Sequence, residues 1–151
     1  MKVEESRDVT ALQRALDPLV GREVSGVRLS EAGSLRVDFT DGASTRPCWL
    51  GVYSIAWRLD GRQAVLAASQ DAPEGLLADV QVLRGKRLTS VDVRPLSMDT
   101  TFRLADVDLR IFPAFSGSDD EDSVYWSLRL PTGFMFCAGP GAAWSVRRAL
   151  R

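Results

Sequence analysis

The chain has 151 residues, a length that suits one domain or two small halves sharing a core. Its apolar fraction of 45% and charged fraction of 26% are typical of a globular protein. The formal net charge is −1, whereas nucleic-acid-binding proteins usually carry a stripe of basic residues, so we predict no nucleic-acid partner. No apolar run approaches the roughly 20 residues that span a bilayer. The charged N-terminus lacks an apolar signal core, so we predict a cytoplasmic protein without a membrane partner.

Histidine is absent from the sequence. The chain therefore lacks the commonest general base, the usual partner of a serine or cysteine nucleophile, and the commonest transition-metal ligand. Cys48 and Cys137 lie far apart, and in a reducing compartment they are most simply small apolar core residues. On these grounds we predict no catalytic residue, no metal and no cofactor.

The first predicted element is a helix that Asp8 or Thr10 can cap. Its apolar residues recur at helical spacing, at Leu12, Ala15, Leu16 and Leu19. Asp17-Pro18 disturbs the last turn, because proline disfavours helical geometry in the residue before it. Gly21 then stands where a left-handed residue ends a helix, a conformation that glycine adopts without steric cost.

Apolar residues in alternation predict strands between this helix and residue 68, at 24–29, 35–39, 43–50, 53–59 and 63–68. A bulge at Gly26 reconciles the imperfect alternation of the first strand. Asp41-Gly42 and Asp60-Gly61 are tight-turn signals between antiparallel strands. Pro47 places the third strand at a sheet edge or a kink, since proline cannot donate to a ladder.

The segment Leu19–Leu29 recurs in similar form as Leu83–Val93. The leucine, the glycine and the central valine are identical in the two copies. A second amphipathic helix precedes the second copy and ends at Gly85. The strands that follow are matched in pairs, Phe102 and Leu104 with Leu35 and Val37, and Val124, Trp126, Leu128 and Leu130 with Tyr53, Ile55, Trp57 and Leu59.

We therefore predict an α+β fold built from two tandem related halves, each a helix packed on an antiparallel sheet. The turn-rich stretch Ser69–Glu74 is the predicted connection, so the halves are residues 1–70 and 71–151. Five short strands bury little apolar surface alone, and we expect the halves to pack into one compact unit.

One insertion distinguishes the second half. Pro113–Ser123 occupies the place of the short link Trp49–Gly51 and contains consecutive acids, the densest charge cluster in the chain. Such a run is commonly a solvated loop, and it lacks the alternate spacing of known hard-cation loops. It also suits a basic protein surface, with nearby aromatic residues supplying buried area. The predicted partner-binding residues are Asp119, Asp120, Glu121, Asp122, Phe115 and Tyr125.

Other groupings indicate chemistry less specifically. The candidate carboxylate pairs are Asp106 with Asp108 and Glu31 with Asp38. Same-face strand residues meet the roughly 5 to 10 Å that glycosidases need in almost any sheet, so this spacing discriminates little. The tryptophans suit either a sugar or nucleotide site or the core. The run Arg147-Arg148 with Arg151 suits either a phosphate contact or the C-terminal end of a helix.

The helix, the pattern Leu-x-Gly-x-x-Val-x-x-Val, the alternating strand and a strand ending in Trp-Arg-Leu resemble small uncharacterised bacterial proteins, some of which are similar to immunity proteins of polymorphic-toxin systems. The matching residues are Leu19, Gly21, Val24, Val27, Leu35, Val37, Phe39, Asp41, Gly42, Trp57, Arg58 and Leu59, with a degenerate second copy. The resemblance covers most of the chain through structural motifs and carries over no catalytic residue. It implies a non-enzymatic protein whose acidic surface occludes a basic nuclease-like toxin.

Three functional hypotheses follow from the sequence. The first is a cytoplasmic protein-binding module, with a basic toxin domain as the implied partner. The alternative is a small-molecule-binding protein or a carboxylate-dependent enzyme with a cleft between the two halves. The third is a structural oligomer joined through edge strands, although the sequence indicates no oligomeric state.

Overall fold

The computed structural model describes residues 4–31, 33–40, 47–53, 56–113 and 124–148. These residues form two α-helices, each followed by a 3-10 turn, and twelve β-strands. The helices are α1 (Val9–Leu16) and α2 (Pro73–Val80), and the turns after them are Asp17–Leu19 and Gln81–Leu83. The strands are β1 (Glu4–Ser6), β2 (Val24–Leu29), β3 (Leu35–Phe39), β4 (Trp49–Val52), β5 (Ala56–Asp60), β6 (Val65–Ala68), β7 (Leu88–Val93), β8 (Thr100–Leu104), β9 (Val107–Phe112), β10 (Trp126–Arg129), β11 (Phe134–Ala138) and β12 (Trp144–Arg148).

Two antiparallel sheets contain these strands. The order is β1-β12-β11-β10-β4-β3-β2 in the seven-stranded sheet and β6-β5-β9-β8-β7 in the five-stranded sheet. Apolar side chains from both sheets and both helices form one buried cluster. The predicted α+β class with antiparallel strands is therefore confirmed.

The predicted tandem arrangement, with one sheet per half, is not confirmed. The meander β2–β3–β4 continues into β10 and β11, whereas the meander β7–β8–β9 continues into β5 and β6. Each sheet therefore combines strands of both predicted halves. The seven-stranded sheet has β1–β4 from the first half and β10–β12 from the second, and the five-stranded sheet has β7–β9 from the second half and the hairpin β5–β6 from the first. The helices are exchanged too, since α1 contacts β7 and α2 contacts β2. Alternation in a sequence shows which face of a strand is apolar but not which strand lies beside it.

The two copies of the repeated segment pair with each other. Gly21 N donates to Leu88 O at 2.7 Å, and Gly85 N donates to Val24 O at 2.9 Å. The reciprocal bonds, Leu88 N to Arg22 O and Val24 N to Lys86 O, are both 2.9 Å. The φ angles are 95° at Gly21 and 81° at Gly85, so the predicted left-handed turn is present in both copies.

The ladders also define which positions are equivalent in the two sheets. In the seven-stranded sheet, Val27, Val37, Leu50 and Leu128 lie side by side. In the five-stranded sheet, the corresponding row is Val91, Phe102, Leu109 and Leu59. Leu128 therefore takes the place of Leu59, and Phe102 takes the place of Val37. The sequence matches of Leu130 with Leu59 and of Phe102 with Leu35 are each two residues out of this register. The predicted bulge at Gly26 is confirmed, and its counterpart lies between Leu88 and Ser90.

Two tryptophans anchor the exchanged hairpins in the core. Trp126 of β10 is fully buried, and its Nε1 donates to Thr100 Oγ1 at 3.1 Å. Its ring meets Phe102 edge-on, with ring centroids 5.5 Å apart. Trp57 of β5 is 2% exposed, and its Nε1 donates to Gly33 O at 3.4 Å. Both tryptophans thus have the core role that their alternation predicts.

Side chains from the helical segments cover the first strand of each meander. Gln13 Oε1 of α1 accepts from Val93 N at 2.8 Å, and Gln81 Nε2 donates to Val27 O at 3.1 Å. These bonds occupy backbone groups that edge strands otherwise leave unpaired. The predicted cap of α1 is also present, because Asp8 Oδ1 accepts from Ala11 N at 3.1 Å.

Candidate functional site

The predicted partner-binding residues fall mostly outside the described part of the chain. Asp119, Asp120, Glu121, Asp122 and Phe115 lie outside the described residues. Tyr125 is described, and it is 2% exposed at the start of β10. A side chain buried to that degree presents almost no surface in this arrangement. Its predicted role in partner binding stays a prediction.

Tyr125 is held by its backbone and by close packing. Its N donates to Ala138 O at 2.7 Å, and its O accepts from Tyr53 N at 3.2 Å. The ring lies so close to Gly139 that a Cβ there would stand 2.8 Å from a ring carbon. Tyr125 therefore connects the start of β10 to the end of β11 and to the residue after β4.

The charges on the outer face of the five-stranded sheet are paired with one another. Arg58 Nε lies 2.6 Å from Asp60 Oδ1, and Arg110 Nε lies 3.0 Å from Asp60 Oδ2. Arg103 Nε lies 3.1 Å from Asp108 Oδ1, and Arg110 Nη2 lies 3.8 Å from Asp108 Oδ2. A cavity of about 460 Å³ opens on this face, and its charged lining is Asp92, Arg94, Asp99, Arg103 and Arg110.

The two members of the candidate carboxylate pair, Asp106 and Asp108, each have a basic partner. Lys86 Nζ lies 2.6 Å from Asp106 Oδ1, and the hydrogen bond from Lys86 lowers the pKa of Asp106. The side chain of Asp106 is 54% exposed. An exposed carboxylate with a lowered pKa suits an ion pair and not a general acid, which needs a raised pKa.

The outer face of the seven-stranded sheet differs in both size and charge of its side chains. The register places small residues in a row across neighbouring strands: Gly51, Ser127, Cys137 and Ser145. Ser127 is 1% exposed, Cys137 3% and Ser145 4%, although they point away from the apolar core. The hydroxyls of Tyr53 and Ser127 share a hydrogen bond over this row.

A second row on the same face carries long side chains. Trp49, Arg129, Met135 and Arg147 lie side by side on β4, β10, β11 and β12. At one end, the guanidinium of Arg36 stacks over Trp49 at 4.6 Å and pairs with Asp38 at 3.0 Å. At the other end, Arg129 and Arg147 flank Met135. We call Arg129 and Arg147 the arginine pair.

The arginine pair has no acidic partner among the described residues. The Nε atoms of Arg129 and Arg147 are buried without a hydrogen-bond partner, as is that of Arg110, but Arg110 Nε lies 3.0 Å from Asp60 Oδ2. Neither guanidinium of the arginine pair lies within 4.0 Å of a carboxylate of the described ranges. A buried donor without an acceptor costs free energy, so this face holds unused hydrogen-bonding capacity.

Cys137 lies between the two serines of the small row. Burial raises the pKa of its thiol, and the nearby Arg147 and Ser145 oppose that rise. A raised pKa keeps the thiol protonated at neutral pH, and the chain has no histidine to remove the proton. Cys137 is therefore a small neutral group beneath the arginine pair and not a nucleophile. Cys48, in contrast, is a buried core residue, as predicted.

Sequence reasoning missed a twin motif that produces this face. β10 begins Trp126-Ser127-Leu128-Arg129, and β12 begins Trp144-Ser145-Val146-Arg147. In both strands the tryptophan lies in the core, while serine and arginine occupy the outer face. The repeated Trp-Ser-x-Arg pattern was a visible signal. The run Arg147-Arg148 lies on strand β12 and not at a helix end, which removes the helix-dipole interpretation for these two residues.

No protein-family model, no curated protein and no solved structure matches the chain. Within the described ranges, neither helix has the length and apolar character needed to cross a membrane. The described residues contain no group of three or more acidic or cysteine side chains placed to hold a metal ion.

Proposed function

We propose that the chain is a non-enzymatic protein-binding module that engages a basic partner protein through the acidic segment, residues 119–122. The observation that carries the proposal is the contrast between this segment and the described surface. On the sheet faces, Asp38, Asp60 and Asp108 each lie within 4.0 Å of an arginine. The acidic segment concentrates four carboxylates in consecutive positions with no basic residue between them. Such a charge excess favours fast association with a surface of opposite sign.

An immunity protein is the particular form of this proposal. The resemblance to immunity proteins of polymorphic-toxin systems supports it, as does the absence of histidine from the sequence. A basic nuclease-like toxin domain is the partner that the acidic segment would suit, and the shared compartment would be the cytoplasm.

We also propose that residues 1–70 and 71–151 are related halves that have exchanged hairpins and helices. The symmetric bonds between the two glycine segments support this relation. So do the matching bulges in β2 and β7. An exchange of this kind keeps each half dependent on the other.

A small-molecule site between the two halves is the alternative function. The space between the sheets is filled by the apolar cluster, and both described cavities lie at the periphery, one on the five-stranded sheet and one beside β2 and Gln81. A ligand in the interior would have to displace packed apolar side chains. These observations favour the protein-binding proposal over the interior cleft.

The test is to replace Asp119, Asp120, Glu121 and Asp122 with serine and to capture partners from native cells, with identification by mass spectrometry. A control variant loses the same charge from exposed positions elsewhere, with serine at Glu31, Glu74, Asp79 and Asp92. We expect the native chain and the control to retain one partner, and we expect its affinity to fall as salt rises. Retention of that partner by the segment variant, with unchanged salt dependence, would refute the proposal.

A further inference from the structure

The arginine pair arises from two identical strand faces set around one central strand. β10 and β12 both run antiparallel to β11, so they point in the same direction. Ser127 and Ser145 therefore face each other across Cys137, and Arg129 and Arg147 face each other across Met135. Two strand spacings separate the arginine Cα atoms by roughly 10 Å. Both side chains are long enough to meet above the intervening methionine.

The arginine pair lacks the carboxylate acceptors that several other arginines on the two sheets possess. Arg36, Arg58 and Arg103 each donate from Nε to an aspartate oxygen, at 3.0 Å, 2.6 Å and 3.1 Å. Arg129 Nε and Arg147 Nε have no hydrogen-bond partner in the described part of the chain. Turning either guanidinium onto a new acceptor therefore breaks no hydrogen bond at Nε. Arginine forks match the paired oxygens of carboxylates and phosphates.

We propose that Arg129 and Arg147 bind a small oxyanion, a carboxylate or a phosphate group, above Ser127, Cys137 and Ser145. The site offers two positive charges and hydroxyl groups, with the apolar Met135 between the arginines. Two charges suit one phosphate or one dicarboxylate, whereas a nucleic acid needs a longer run of phosphate contacts.

The backbone register defines where the anion lies on the sheet. Glu5 of β1 is opposite Ser145, on the far side of β12 from Cys137. The arginine pair places the anion between β10 and β12. Asp38 is at the other end of the face and is already paired with Arg36.

The test uses the purified full-length chain with inorganic phosphate and with succinate as probes. Calorimetry measures binding, and sodium chloride at matched ionic strength is the control for screening. We expect saturable binding of at least one probe, with a stoichiometry of one. Arg129→Gln and Arg147→Gln should each weaken that binding roughly tenfold or more, because each removes a charge-assisted donor.

Arg148→Gln is the matched control. Arg148 lies on the same strand as Arg147, is exposed and faces the opposite side of the sheet. It removes the same charge, so binding should be unchanged. Saturation by neither probe would overturn the proposal, and so would an equal loss of binding in Arg148→Gln and Arg147→Gln.

A second readout covers variants that fail to fold. In the native chain, the arginine side-chain Nε–H resonances of Arg129 and Arg147 should shift on titration with the bound probe, whereas that of Arg103 should not. A shift confined to arginines of the five-stranded sheet, such as Arg103, would contradict the proposed oxyanion site. Binding of phosphate alone or succinate alone identifies the class of oxyanion.

This inference is independent of the acidic segment. The serine variant at positions 119–122 should bind the probe as the native chain does. If the serine variant loses partner capture but still binds the anion, the two sites are separate. If Arg129→Gln loses anion binding but still captures the partner, the reciprocal experiment gives the same conclusion.

Discussion

The outer faces of the two sheets follow the same ladder pattern, but arginines at equivalent positions differ in whether they have a carboxylate partner. At equivalent positions, β5 carries Arg58 and Asp60, whereas β10 carries Ser127 and Arg129. On β5 the arginine and the aspartate are two residues apart and bond at 2.6 Å. On β10 an arginine stands where the aspartate would be, and no described acid replaces it. The five-stranded face thus pairs its arginines with its aspartates, whereas the arginine pair of the seven-stranded face has no described carboxylate partner.

The largest expected effects come from the two hairpin tryptophans. Trp57→Ala and Trp126→Ala should each lower the free energy of unfolding by about 3–5 kcal/mol, because each removes a buried aromatic ring. Urea unfolding followed by circular dichroism measures the loss. Trp49→Ala, at a half-buried position, should cost clearly less. A cost below about 1 kcal/mol at either buried position would show that the exchanged hairpins are not equivalent.

The two repeated glycines should be equally sensitive to substitution. Gly21→Ala and Gly85→Ala should each cost about 1–2 kcal/mol, because the positive φ angles suit glycine and no atom within 3.4 Å blocks a Cβ. Gly26→Ala is the control, since its φ is not in that region and a Cβ would make ordinary contacts. Thermal unfolding of the three variants checks the expectation. Unequal losses at Gly21 and Gly85 would argue against related halves.

The difference between the outer faces predicts opposite changes in stability when a charged side chain is replaced by its neutral amide. Asp60→Asn removes the shared acceptor of Arg58 and Arg110 and should cost at most about 1 kcal/mol. Arg129→Gln removes a guanidinium with no described partner and should leave stability unchanged or raise it slightly. Chemical unfolding at low salt measures both changes. A loss at Arg129 larger than that at Asp60 would reveal a structural partner for Arg129.

The smallest expected effect is the pH dependence of the ion pair between Lys86 and Asp106. The hydrogen bond from Lys86 lowers the pKa of Asp106 in the folded chain. The stabilisation is therefore present above the ordinary aspartate pKa of about 3.9 and disappears as pH falls through the lowered folded pKa. The difference in unfolding midpoint between the native chain and Asp106→Asn should be measurable at pH 7 and should vanish in strong acid. A difference that grows in acid would contradict this assignment.

Local features of the fold were predictable because they depend on neighbouring residues only. The cap at Asp8, the left-handed Gly21 and the bulge near Gly26 follow from local backbone preferences. The exchange of hairpins was not predictable, because residues 49–60 read as successive strands whether or not the chain changes sheet between them. Sequential neighbours usually pair, and that rule favoured one sheet per half, which the observed strand order does not confirm.

The oxyanion site shows the same boundary between local and non-local information. Trp-Ser-x-Arg occurs twice in the sequence, and alternation alone places serine and arginine on one face of each strand. That the two strands flank β11, and that Arg129 and Arg147 therefore face each other across Met135, depends on the register. The partner of a charged side chain is decided by which strand lies beside it.

The exchanged hairpins have a consequence for how the chain acquires its structure. The central pairings of the two sheets, Leu50 with Leu128 and Leu59 with Leu109, join residues that are distant in sequence. Neither half can complete a sheet during synthesis until the other has emerged, so folding should be slow and all-or-none. For the same reason, a single proteolytic cut in the exposed connection near Asp71 should leave the two fragments associated, because each sheet contains strands from both fragments.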